Sequence, residues 1–145
     1  MLRKTLAFSI LAIVVFLVLF SIYILLFKIT VIEIQSKMGV ERITIICGTK
    51  LIISFNNSVT GSPVILVFEV YKDGFQGVSI VTDDATIEYY TAGVIDINSS
   101  IKAFKSKVLG YCSSQKVRVL IGEREFLFKD ICVTFKVKPY IDLQS

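Results

Sequence analysis

The chain has 145 residues, of which 54% are hydrophobic and 19% charged, with a formal net charge of +4. That length fits one small domain, and the apolar excess excludes intrinsic disorder, a collagen-like repeat and a disulfide-dense miniprotein. The sequence contains no histidine, so sites built on an imidazole are excluded, Ser-His-Asp and Cys-His nucleophiles among them, and zinc and copper lose their commonest ligand.

Residues 6–27 carry no charge, glycine or proline, and only Ser9, Ser21 and Tyr23 interrupt the aliphatic and Phe content. As a helix this run would measure about 33 Å at ~1.5 Å per residue, so the sequence predicts a transmembrane helix over 6–27. A cleaved signal peptide would have an apolar core of roughly 7–15 residues and a small-x-small cleavage site. This run ends in Leu25-Leu26-Phe27-Lys28 instead. Arg3, Lys4 and the α-amino group precede it and Lys28 alone follows closely. The positive-inside rule then places residues 1–5 in the cytoplasm and 29–145 outside, as a single-pass protein with the lipid bilayer as one partner. Thr5/Ser9 is the one small-xxx-small pair, so GxxxG-type dimerisation is not encoded. The Leu and Phe surface suits lipid or a bundle of identical helices.

From residue 29 the pattern turns to short β-branched segments. Strands are predicted at 29–35, 42–47, 50–56, 64–71, 77–82, 86–91, 94–97, 116–121 and 125–138. Leu51, Ile53 and Phe55 share one face, as do Ile131, Val133, Phe135 and Val137. Residues 64–70 are apolar on both faces, which suits a central strand. Gly48-Thr49 is expected to form a two-residue hairpin turn, and Gly122-Glu123 another. Asp73-Gly74 and Asp83-Asp84 mark further turns. Ser99-Ser100 begins either a short helix carrying Ile101, Phe104 and Val108, the favoured reading, or a strand. The fold class is mainly β: an N-terminal transmembrane helix followed by an antiparallel β-sandwich of immunoglobulin-like type over 29–145. With Arg3, Lys4 and Lys28 set aside, the 16 basic residues fall to 13 against 12 acidic ones. A nearly neutral domain lacks the basic stripe that nucleic acid requires.

Three cysteines, Cys47, Cys112 and Cys132, contain no CxxC. A disulfide is the favoured use of them, with Cys112–Cys132 the leading pair and Cys47 an alternative partner. Asn56-Asn57-Ser58 and Asn98-Ser99-Ser100 are N-glycosylation sequons, on Asn56 and Asn98, and equally are ordinary turn and cap residues. Carboxylates gather at Asp83, Asp84 and Glu88, and at Glu123 and Glu125. Solvated turns explain both groups more simply than an acid–base pair. No catalytic, cofactor-binding or metal residue is expected, and no cofactor.

The expected function is that of a non-enzymatic, membrane-anchored surface or envelope protein whose exterior β-domain binds or supports a protein partner. The start of the chain offers a narrower reading. Arg3-Lys4-Thr5, an apolar helix from Leu6 and a β-rich head together resemble the archaeal type IV pilin-like proteins. The resemblance covers the first thirty residues. It implies cleavage just before the helix and packing of the released helices into a filament core. Thr5 stands where that family usually has Gly, Ala or Ser, and Ile10 where bacterial pilin helices carry an acid. A membrane-anchored hydrolase using Asp83, Asp84 or Glu88 is the third and weakest reading.

Overall fold

The computed structural model describes the backbone of residues 2–91, 97–113, 115–129 and 131–140, and within these the side chains of 9–24, 26, 28–88, 99–112, 115–129 and 131–140. In chain order the elements are α1 (Leu2–Phe27), β1 (Ile29–Ser36), β2 (Gly39–Ile46), β3 (Thr49–Asn56), β4 (Pro63–Tyr71) and β5 (Gly74–Val81). These are followed by α2 (Asp84–Thr91), α3 (Ile97–Ala103), β6 (Lys105–Ser106), β7 (Val108–Ser113), β8 (Val117–Ile121), β9 (Arg124–Phe128) and β10 (Ile131–Pro139).

The strands form two antiparallel sheets. Sheet A has four strands in the order β2-β1-β10-β7, and sheet B six in the order β6-β5-β4-β3-β8-β9. Period-two alternation fills the space between them. Ile32 and Ile34 of β1, Ile43 and Ile45 of β2, and Val133 and Phe135 of β10 point inward from sheet A. Leu51, Ile53, Phe68, Val70, Val119 and Ile121 meet them from sheet B. Residues 64–70 belong to β4, inside the larger sheet between β3 and β5. Where the smaller sheet runs out, α3 takes over the cover of sheet B. Its Ile101 packs on the core, and the Phe104 ring beyond it meets Phe68 edge-on at 5.8 Å. Gly77 on β5 makes this approach feasible, because a Cβ there would run into the carbonyl of Ile101.

Two antiparallel sheets are therefore present, but the strand count and order differ from the immunoglobulin plan of seven or nine strands. Sheet B is a meander, β3-β4-β5-β6, extended on its other side by the β8–β9 hairpin. Several local expectations change as well. Residues 86–91 lie in a helix, not a strand, because Asp83 accepts a hydrogen bond from the Thr86 amide at 2.9 Å and so caps α2. Gly48 does not close a hairpin. Cys47-Gly48 carries the chain from β2 in sheet A to β3 in sheet B, with Gly48 at φ +90° and its amide donating to the Val70 carbonyl. The expected long strand over 125–138 is two strands, β9 and β10, in different sheets. The expected strand at 94–97 falls largely outside the described residues, and Ile97 begins α3.

The expected membrane span is also corrected. Among the described residues no helix is long and apolar enough to cross a membrane. The single-pass location, with a cytoplasmic N-terminus and an extracytoplasmic domain, therefore has no support.

Candidate assembly surface

Two surfaces stand out, one on α1 and one on sheet A. Along the described part of α1 the large apolar side chains are exposed on every side, from Ile10 and Leu11 through Phe16 (66%) and Leu19 (61%) to Ile22 and Tyr23. No polar stripe interrupts them, so the helix has no preferred inward face toward its own domain. Ser21 satisfies its hydroxyl internally, donating to the Leu17 carbonyl at 2.8 Å, and the Phe16 and Phe20 rings lie parallel at 6.1 Å. The foot of the helix is joined to sheet A without a linker. Lys28 donates its amide to the Ile24 carbonyl, closing the last turn, and its own carbonyl accepts from the Cys47 amide at 2.7 Å. Burying such side chains is favourable by about 1.5–3 kcal/mol each, and no described residue of the head covers them.

Among the described residues the outward face of sheet A carries one buried acid, Glu33. Glu33 sits on β1 between Ile32 and Ile34, with Arg42 opposite on β2 and Lys136 opposite on β10. Its carboxylate is 3% exposed. One oxygen accepts from Lys138 Nζ at 2.9 Å and Arg42 Nε at 3.1 Å, and the other from Gln35 Nε2 at 2.9 Å. The Lys138 hydrogen bond, opposed by burial and assisted by Arg42, holds this carboxyl below its ordinary 4.5. A lowered folded-state value stabilises the fold fully above 4.5, and the contribution disappears as pH falls through the folded value. Glu33→Gln should cost about 1–2 kcal/mol at neutral pH, discounted because both cations are partly solvated. Denaturant midpoints measured from pH 7 down to pH 3 should fall more steeply for the wild type than for the variant. Glu33 belongs to no motif in the sequence. The signal was a lone acid in a β-branched run, with Lys136 and Lys138 alternating on another strand.

The other residues singled out from the sequence are dispersed. Cys112 and Cys132 lie directly opposite one another on β7 and β10 and form a disulfide, with Cα atoms 4.0 Å apart. Cys47 is a free, half-buried thiol between β2 and β3. Asn56 is exposed at the end of β3. The neighbouring Asn57 is buried and accepts from the amides of Val59 and Thr60, organising the turn into β4. The Asn98 side chain lies outside the described residues. Asp83 holds Ser62 and Thr86, and these hydrogen bonds keep its carboxyl below the usual range. Asp84 and Glu88 are exposed on α2, while Glu123 and Glu125 are exposed at the β8–β9 hairpin, with Glu125 paired to Arg118 at 2.9 Å. Among the described residues no group of His, Cys, Asp and Glu is arranged to hold a metal ion. Tyr111 packs its ring on Phe55, 4.9 Å between centroids.

The chain matches no family model, no curated protein and no solved structure.

Proposed function

We propose that this protein is a non-enzymatic assembly subunit, in which α1 packs against α1 of other copies and the β-domain is displayed around that helical core. One observation carries the reading: the described part of α1 exposes Ile, Leu, Val and Phe around its whole circumference, where a helix serving its own domain would show one apolar stripe. A bundle of identical helices removes all sides of such a helix from water at once. The direct join through Lys28 supports the reading further, because it gives the head a fixed station on the core. The organisation is that of the pilin-like layout of an apolar helix followed by a β-rich head.

The test is the size of the purified chain in detergent-free buffer, followed by sedimentation velocity and negative-stain microscopy. The wild type should form large, ordered particles. Leu17→Glu combined with Phe20→Lys places an ion pair at i, i+3 on the helix surface, which preserves the helix while making that flank unfit for an apolar core. This variant should fall to particles of at most a few chains, with the thermal transition of the head unchanged. A wild type that stays a single chain in buffer, or enters vesicles singly, overturns the reading. So does a double variant that assembles as the wild type does.

A further inference from the structure

One flank of the sandwich is closed by the chain itself and the other is open. On the closed flank the chain passes from β6 at the edge of sheet B through Lys107 into β7 at the edge of sheet A. Val137 donates its amide to the Lys107 carbonyl there. On the open flank β2 and β9 end their sheets without a partner strand among the described residues. Two grooves of about 410 and 580 Å³ follow this flank, lined by β2 together with β9 and the β8–β9 turn. Met38 (82%), Val40 (59%), Ile46 (66%) and Leu127 (59%) are exposed along it.

β2 lacks most of the usual protections of an edge. It is eight residues long, contains no proline, and pairs with β1 from Gly39 to Ile46 without a bulge. Of its two charges, Arg42 is turned onto Glu33, and the exposed Glu41 lies near the β1–β2 turn, opposite Ile34. The Cys47 amide binds the Lys28 carbonyl, which sets the phase of the ladder. The odd residues of β2 direct their backbone groups to β1. Val40, Arg42, Thr44 and Ile46 direct theirs away from it.

We propose that β2 is a self-pairing edge, joining a second copy of this chain antiparallel about a two-fold axis at Ile43. This register puts Val40 opposite Ile46 of the second copy and Arg42 opposite its Thr44. Each of these is a hydrogen-bonded pair of outward-directed residues, giving about eight main-chain hydrogen bonds across the axis. The side chains agree with the backbone. The two exposed aliphatic residues cover each other on the outer face, and the two Ile43 side chains meet at the inner one. A shift by two residues in one direction sets Arg42 against Arg42, like charges directly opposed. The other shift leaves Val40 facing Gly48 and Arg42 facing Ile46. The pairing fuses two four-stranded sheets into one of eight, with the apolar flanks of both copies at the joint. It uses no residue of α1 and stands apart from the helical assembly.

The experiment uses the full chain carrying Leu17→Glu and Phe20→Lys, so that contacts through α1 are removed. Sedimentation equilibrium at tens of micromolar should give a dimer. Adding Thr44→Pro should yield a monomer, because this proline deletes an outward-directed donor and leaves the β1 ladder intact. Val40→Lys with Ile46→Lys should also yield a monomer, and Val40→Lys with Ile46→Glu should restore the dimer, since only this register sets position 40 against position 46. Hydrogen exchange over 39–46 provides a reading in any background, including wild-type assemblies. The Arg42 and Ile46 amides should be protected, and at least tenfold less so with Thr44→Pro. Rapid exchange at these amides in the wild type, a monomer before Thr44 is changed, or a dimer indifferent to the charge pairs overturns the proposal.

Discussion

Phe135→Ala should lower the unfolding free energy by about 3–5 kcal/mol, the largest loss expected of any single substitution in the head. Phe135 is fully buried on β10, flanked across the ladder by Ile34 on one side and Leu109 on the other. Its ring faces sheet B from the middle of sheet A, where Ile53, Val119 and Phe128 share a small void with it. Backbone pairing on both sides of β10 prevents the strand from shifting inward, so the cavity left by truncation cannot collapse. Urea denaturation followed by tyrosine fluorescence measures the effect. Phe135→Leu, which retains most of the volume, should recover more than half of the loss. A deficit below about 1 kcal/mol for the alanine variant would place the centre of the core elsewhere.

Removing the disulfide with Cys112→Ser and Cys132→Ser should cost about 3 kcal/mol, mostly by freeing the unfolded chain. The bridge spans 20 positions, a stretch that includes the whole β8–β9 hairpin. The two cysteines are opposite one another in the native ladder and both are exposed, so the serines leave no buried void. The denaturant slope should therefore rise along with the drop in midpoint, because a chain without the bridge exposes more surface on unfolding. Wild-type protein in strong reductant should approach the double variant. Equal midpoints for the two proteins under oxidising conditions would show that the β7–β10 ladder alone sets the stability.

Most strands were legible because period-two alternation needs only neighbouring residues. Leu51/Ile53 and Val133/Phe135 announced their inward faces from the sequence alone. Partner choice was not legible, since it depends on where the chain turns. Gly48 looked like a hairpin residue, yet β2 was already paired with β1, so the same glycine serves a passage between sheets. The segment 86–91 contains Thr86, Ile87 and two tyrosines, all favourable to a strand. A single cap by Asp83, with Thr86 buried against the Thr60 hydroxyl, overrode that propensity. The N-terminal run illustrates a different limit. Hydropathy registers an aversion to water but does not say whether lipid or another protein relieves it. The candidate surface on β2 was hidden for the same reason as the sheet order: an edge exists only once every other strand has found its neighbours.

The join at Lys28 also determines how the head would bear a pull. Traction along α1 enters at the first residue of β1, a strand held from Ile29 to Ser36 by β2 and from Thr30 to Gln35 by β10. Such a strand cannot peel away rung by rung from a free margin. Displacing it disturbs both ladders together with the ion pairs of Glu33 to Arg42 and Lys138. The helix is thus joined to the head through a strand that is paired along both of its sides.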